Sequence, residues 1–426
     1  MEIMSACQKV SQLFNASWMN EQAKRVGLCK RLRRIQPLPL SAAMVAGLGD
    51  GKVTAIADLH RTFNGLGMSP EAMVAYKPFH NQLRKQSFAT FMQALAKRAM
   101  VLFSQQWSQD IPGLSQFEQV LLHDGSSFAL HKQLAEVFPG RFKKLSPAAV
   151  ECHMTMSLLD DQPLALSVSA DTSAERRYLP EPMGLRNRLL LCDAGYPQQD
   201  YLSQVNQHGG FYLMRHGKNW NPLIRQANNS KGRKLDKLVG KRLQDIRRRD
   251  SRSEVLDLEV DWAGHRVRVI RFWHQESKRY LSWMTNLSTE QFSAEQVMKL
   301  YRLRWQIELL FKEWKSHNNL HKFNTRQRYL AEGLIWASLL SLLVKRLVGR
   351  AAAHLAGKRL STLKMAKFTQ GWLEPMMKSL TTGFTQQLAI DLHWAVELLA
   401  RTCCRDQQSK AKKSNSLEGI LEAFGA

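Results

Sequence analysis

The spacing of apolar and polar residues divides this chain into regions of different texture. From residue 1 to about 110 the apolar positions recur at helical spacing and no strand pattern emerges. Residues 53–63 form an amphipathic stretch that stops at Asn64-Gly65-Leu66-Gly67, a turn suited to helix termination. Ser69 and Pro70 then fit the N-cap and first turn of a further helix, and residues 77–83 and 88–103 continue the helical period. From Phe117 the texture changes. Residues 119–123 are a short apolar run that ends in Asp124-Gly125-Ser126-Ser127 and reads as a buried strand breaking into a turn. Residues 149–159 and 163–170 predict two strands joined by the turn Asp160-Asp161-Gln162, and Asp171 follows them. Residues 188–192 are another buried strand, ending in Asp193-Ala194-Gly195-Tyr196; a helix over 199–207 and a strand over 211–215 come next. Strand, hairpin, strand, helix, strand is the order of a ribonuclease-H-like α/β core, a mixed sheet flanked by helices.

Residues 219–252 are polar and strongly basic, with Lys231, Arg233, Lys234, Lys237, Lys241, Arg242 and the run Arg247-Arg248-Arg249. They are expected to form a mobile loop. Residues 254–262 and 266–273 alternate apolar and charged positions around Ala263-Gly264-His265, a β-hairpin pattern, and 280–285 add a third strand. Beyond residue 315 the helical period returns over 327–347, 351–356, 360–368 and 385–399, before a polar tail at 410–416. The expected division is a helical N-terminal region at 1–110, a core from 111–218 and 289–330, a β-rich insertion with its basic loop at 219–288, and a helical C-terminal region at 331–426.

Charge adds a partner to this outline. Lys and Arg number 61 against 36 Asp and Glu, a formal net charge of +25. So large an excess implies a polyanion, first of all nucleic acid and secondly an anionic membrane surface. The run of residues 24–34 is the densest local candidate for phosphate contacts, and helix, glycine turn, helix near Arg61, Arg84 and Lys85 suits a helix-turn-helix as well as a plain helical bundle. The apolar run 333–344 is too short to span a bilayer, and no secretory leader opens the sequence. The six cysteines include no C-x-x-C pair, so reduced thiols in a cytosolic protein are expected; Cys403-Cys404 has no histidine close by to complete a metal site.

One stretch carries chemistry. Residues 301–315 contain no Gly or Pro and are rich in Leu, Arg, Lys, Gln and Glu, which predicts one continuous helix. At about 100° per residue, Tyr301, Arg304, Glu308 and Lys315 fall within roughly 60° of one another. Leu303, Ile307, Leu310 and Trp314 share an arc centred about 120° away, so one arc is core. The other gathers a phenol, two cations and a carboxylate. From period alone this is equally a solvated face with an Arg304–Glu308 pair at i, i+4.

The spacing Tyr-x-x-Arg-x-x-x-Glu, six residues, then Lys resembles the signature of the DDE transposases of the bacterial insertion-sequence-four family. That resemblance requires two upstream aspartates at the ends of buried strands, and Asp124 and Asp193 meet the requirement. It covers Asp124-Gly-Ser-Ser-Phe, Asp193-Ala-Gly-Tyr and the 301–315 helix in order, with the β insertion between the last two; Ala194 stands where the family often has Arg. It implies a cut-and-paste enzyme that cleaves DNA at the inverted repeats ending its own element and joins them to target DNA. The implied cofactor is two Mg²⁺, with Mn²⁺ able to substitute, held by Asp124, Asp193 and Glu308, because hard divalent ions take oxygen ligands. Neighbouring strands lie about 5 Å apart, close enough for both aspartates to share an ion. The resemblance further assigns Arg304, Lys315 and Tyr301 to the DNA backbone beside the scissile bond, and suggests Trp283 or Trp305 as an aromatic for a flipped base. It implies double-stranded DNA as partner, a homodimer pairing two ends, and a cytoplasmic, nucleoid-associated location in a bacterium. The alternatives are a structure-selective nuclease of the same fold and a DNA-binding protein without catalysis.

Overall fold

The computed structural model of the chain describes residues 2–31, 33–50, 53–67, 70–104, 113–158, 160–251, 253–318, 325–405 and 419–420. Ser69, Leu159 and the 410–416 tail lie outside the described residues. Six helices come first: α1 (Glu2–Leu13), α2 (Ala16–Arg25), α3 (Pro37–Gly49), α4 (Ile56–Gly65), α5 (Tyr76–Leu83) and α6 (Gln86–Ser104). The expected helix opening at Pro70 is only a single 3₁₀ turn, Pro70–Ala72. The strands and helices of the middle are β1 (Gln119–Ala129), β2 (Ala149–Ser157), β3 (Gln162–Ala170), β4 (Arg188–Cys192), α7 (Gln199–Gln207) and β5 (Phe211–Arg215). Then follow β6 (Leu223–Asn229), the short α8 (Arg248–Ser251), β7 (Val255–Trp262), β8 (His265–His274) and β9 (Arg279–Thr285). The chain continues through α9 (Ala294–Arg302), α10 (Trp305–His317), α11 (Arg328–Ala356), α12 (Thr362–Lys367), α13 (Thr369–Thr382) and α14 (Thr385–Thr402).

Among the described residues all nine strands join one mixed sheet in the order β3-β2-β1-β4-β5-β9-β8-β7-β6. β1, β4 and β5 run parallel to their neighbours in that group, while the β1–β2 and β2–β3 pairs are antiparallel. This is the ribonuclease-H-like arrangement expected. The β insertion is not a separate layer, because β9 pairs antiparallel with β5 through Leu213↔Thr285 and carries the sheet onward. Part of the expected basic loop is ordered as β6, which pairs with β7 around a register shift between Ile224 and Gln226. That irregularity breaks the two-residue alternation, so the strand does not show in the apolar pattern.

Side chains of β1 and β4 alternate between two cores, as strand geometry demands. Val120, Leu122, Leu189 and Leu191 join the larger core on the side of α6, α10 and α11, while Leu121 and Leu190 face the smaller core that includes Leu202 and Val205 of α7. The 29 residues of α11 run through the middle of the larger core. Two of its glycines explain that close fit. A Cβ on Gly333 would stand 2.4 Å from the Phe88 ring, and one on Gly349 would stand 2.4 Å from the Met365 methyl. Gly349 therefore permits close packing rather than ending the helix, and α11 runs unbroken across the gap expected between 347 and 351. Ser341 Oγ donates to the Val45 carbonyl of α3 at 2.8 Å, so α11 ties the N-terminal helices to the rest.

Candidate active site

Residues 301–315 do not form one helix. Leu303 and Arg304 separate α9 from α10, and the backbone tightens there to i→i+3 bonds: Leu303 N–H to Leu300 O, Arg304 N–H to Tyr301 O, Gln306 N–H to Leu303 O and Ile307 N–H to Arg304 O. Local propensity favours helix throughout, so tertiary packing sets the break. Leu303 is wholly buried, while Arg304 turns to acceptors far away in sequence. The core arc is as expected, with Leu303, Ile307, Leu310 and Trp314 all fully buried. Trp314 also donates its indole N–H to Ser338 Oγ of α11 at 2.7 Å.

Nor does Asp124 end its strand. β1 continues to Ala129, because Asp124-Gly125-Ser126-Ser127 pairs with Met154, His153, Cys152 and Glu151 of β2. Pairing with a long, wholly buried partner strand overrides the turn preference of Asp-Gly-Ser-Ser. What ends at this point is the other ladder: β1 and β4 are paired only as far as Leu122↔Leu191. The same register carried two residues further sets Asp124 opposite Asp193, which directly follows β4. Both positions fall on the side of the sheet occupied by α10. The two segments also touch behind the carboxylates, where the buried His123 ring meets the Tyr196 ring edge-on at 5.2 Å.

Arg304 is the centre of the cluster. Its Nη1 donates to Asp124 Oδ2 at 2.9 Å and its Nη2 donates to Glu308 Oε1. Tyr301 donates its hydroxyl to Asp193 Oδ1 at 3.3 Å, and the Arg304 guanidinium lies 5.7 Å from the Tyr301 ring. Burial by itself would lower the Arg304 pKa, but Tyr301, Asp124, Glu308 and Asp193 together hold it above its ordinary value. Burial pushes the Asp124 carboxyl up to about 6, against the pull of Arg304 and the Gly125 N–H, while Asp193 and Glu308 push it further up. Lys315, two turns along α10, donates from Nζ to the Ser127 carbonyl at 2.8 Å, and burial lowers its pKa. Trp283 is buried in β9 with its ring 5.9 Å from Tyr301, whereas Trp305 is exposed at the start of α10.

A second group of charges borders this one and was missed from the sequence. Arg141 donates to Glu151 Oε2 at 2.7 Å and to Glu175 Oε1 at 2.8 Å, and its Nε donates to the Asp171 carbonyl at 2.6 Å. Asp171 accepts from the Arg141 N–H at 2.8 Å and from Ser127 Oγ. A cavity of about 570 Å³ opens beside it, lined by Arg141, Glu175, Arg176, Arg177 and Gly195 among others. The only sequence signal was the spacing of Glu151 and Asp171 on a hairpin, which the polarity of the turn masked.

Residues 115–344 match the family described as the transposase DDE domain, more than half of the chain. The chain belongs to that family. It is 21% identical over 388 residues to the transposase for insertion sequence element IS231B of Bacillus thuringiensis subsp. berliner, covering 80% of this chain and 79% of that one. It is 23% identical over 238 residues to the transposase for IS1151 of Clostridium perfringens, covering 47% and 50%. Among solved structures, a piggyBac transposase synaptic complex with hairpin DNA aligns over 98% of this chain and 89% of that one, at 11% identity and a TM-score of 0.47.

This protein is thus a DNA transposase, an enzyme acting on DNA, and a DDE domain uses divalent metal. The donor set fits such an ion in kind, since Asp124, Asp193 and Glu308 offer hard oxygen ligands near the point where the β1–β4 ladder ends. The arrangement is not yet an ion cage. Among the described residues no three His, Cys, Asp or Glu side chains are grouped to hold a metal ion, and at the cluster the Arg304 guanidinium stands between two of the carboxylates. Among the described residues no helix is long and apolar enough to cross a membrane.

Proposed function

We propose that Asp124, Asp193 and Glu308 are the catalytic carboxylates with which this transposase cleaves the ends of its insertion sequence and transfers them into target DNA. The observation that carries the reading is the single Arg304 guanidinium bound to both Asp124 and Glu308, with Asp193 joined to it through Tyr301. Residues 69 to 184 positions apart in sequence meet there. The three carboxylates would hold Mg²⁺ or Mn²⁺, two ions in all, and ions so placed supply nucleophile activation and leaving-oxygen stabilisation.

The remaining groups bind and orient. Arg304 can fork onto a backbone phosphate and Lys315 can act as a point charge further along the same strand. The Tyr301 hydroxyl orients Asp193 and can turn to a phosphate oxygen. Trp305, exposed beside Arg304, offers the freer face for stacking a displaced base, and Trp283 supports Tyr301 from behind. The basic N-terminal helices of region 1–110 and the basic segment of the 219–288 insertion serve as the grip on the terminal repeats. The core from 111–218 and 289–330 performs the chemistry, and region 331–426 backs it and helps pair two copies as a dimer. The partner is double-stranded DNA, both repeat and target, on the bacterial nucleoid.

The test is nicking of a supercoiled plasmid carrying the terminal repeats, with Mg²⁺, Mn²⁺ or chelator. Metal-dependent nicks at the repeat ends that vanish in Asp124→Asn, Asp193→Asn and Glu308→Gln support the assignment. Full nicking by any one variant removes that residue from the centre.

A further inference from the structure

Two tasks compete for Arg304. As placed, its two terminal nitrogens are committed to Asp124 Oδ2 and Glu308 Oε1. A guanidinium so committed, in an enclosed position, has its outer fork turned to the two carboxylates rather than to a phosphate. Equally, carboxylate oxygens turned toward an internal cation are not free to converge on a metal ion. The side chain is only 11% exposed, so the arrangement is enclosed rather than a loose surface pair. Arg304 Nε, moreover, is buried with no hydrogen-bond acceptor. A buried guanidinium N–H without an acceptor costs free energy, which favours a pose that satisfies it. The backbone at Arg304 is held by the i→i+3 bonds between α9 and α10 and by the buried Leu303 next to it. Movement therefore belongs to the side chain, swinging about a fixed anchor.

We propose that Arg304 is an internal counter-ion that occupies Asp124 and Glu308 in the DNA-free enzyme, and that metal entry requires its transfer to a DNA phosphate. The inference rests on the assignment of Asp124 and Glu308 as metal ligands. Its consequence is a coupling. DNA draws the guanidinium away and so strengthens metal binding, and by reciprocity metal strengthens DNA binding by the same factor. Without DNA the carboxylates stay neutralised by protein, which keeps a metal-loaded centre from forming where no substrate stands. The competition is between two cations for the same oxygens, so removing the internal one improves the site for the external one.

The experiment measures Mn²⁺ alone, by the electron paramagnetic resonance signal of the free ion, against the full-length chain. Arg304→Ala should bind Mn²⁺ about tenfold or more tighter than wild type in the absence of DNA. Arg304→Gln, which keeps much of the side-chain volume, should do the same and guards against misfolding of the alanine variant. A duplex of the terminal repeat should tighten Mn²⁺ binding to wild type by a similar factor and leave both variants unchanged. If both bind Mn²⁺ no tighter than wild type, while Asp124→Asn still abolishes binding, the counter-ion role is wrong and the metal site stands. If Asp124→Asn in the Arg304→Ala background leaves Mn²⁺ affinity unchanged, the metal assignment falls and the counter-ion role with it.

Discussion

Two arginines in this transposase each gather carboxylates at neighbouring points of the same sheet, and they differ in what they leave undone. Arg141 has its Nε on the Asp171 carbonyl, its Nη2 shared by Glu151 and Glu175, and even its backbone N–H on Asp171. Glu151 is fixed in β2 by pairing with Ser127 and Ser169, while Asp171 and Glu175 lie in the segment following β3. Arg304 spends its terminal nitrogens on Asp124 and Glu308 and leaves Nε without an acceptor. The carboxylates differ in part: Glu151 and Asp171 are 4% and 5% exposed against 20% for Asp124, while Glu175 at 28% matches Glu308 at 31%. Similar charge arithmetic thus yields a staple in one place and an exchangeable pairing in the other. Donor satisfaction separates them, not the number of charges.

The largest effect that can break this contrast is catalytic. Asp124→Asn, Asp193→Asn and Glu308→Gln should each lower end cleavage by at least roughly 10²–10³-fold, as loss of a charge-stabilising group does. End binding in a gel-shift assay should be nearly intact, whereas Glu151→Gln should leave cleavage near wild type. A cleavage defect in Glu151→Gln as deep as that of Asp124→Asn would merge the two clusters into one site.

Stability should divide the other way. Arg141→Met should cost about 2 kcal/mol in urea unfolding, discounted from the range for fully buried pairs because Arg141 reaches solvent. Arg304→Met should cost less, since Arg304 already lacks an acceptor for Nε and its partners Asp124 and Glu308 are partly open to water. Equal losses would remove the distinction between staple and exchangeable pair.

A subtler test is the pH dependence of the staple. Burial, with Glu175 and Asp171 close by, pushes the Glu151 carboxyl up to about 7 from its ordinary 4.5 despite the opposing pull of Arg141. The folded state therefore binds this proton more tightly than the unfolded chain does. Its stabilising contribution is complete below about pH 4.5 and is lost as pH rises toward 7. Unfolding midpoints of wild type and Glu151→Gln should diverge over that window, with the variant gaining relative to wild type at the higher pH. Parallel curves would show that Glu151 stays ionised. The smallest effect belongs to Lys315→Ala, which should weaken DNA binding without regard to sequence and reduce the slope of log K against log salt by about one.

Short elements delimited by strong punctuation were fully legible in the sequence. The strands at 188–192 and 211–215 and the helix at 199–207 coincide with β4, β5 and α7, because Asp, Pro and Gly bound them and their interiors leave little choice of period. Legibility failed where a distant partner outweighed local preference. Asp124-Gly-Ser-Ser reads as a turn and is strand because β2 pairs with it. Leu303-Arg304 reads as helix and is a break between two. β6 and α13 were not anticipated: charge and a register shift obscured the first, and Pro375 inside the helix disguised the second. The signature residues were legible one by one, yet the Arg141 network was not, since nothing local marks Glu151, Asp171 and Glu175 as neighbours.

The sequence by itself determined the periods of most elements, the apolar arc that sinks Leu303, Ile307, Leu310 and Trp314, the excess of positive charge, and the DDE transposase family. Only the tertiary structure decided that Arg304 should answer to Asp124, 180 positions away, rather than to Glu308 alone. The physical reason is one of range. Backbone geometry repeats every two or 3.6 residues and fixes which way a side chain points, but the partner it meets depends on how sheet and helices are stacked, which no local period encodes.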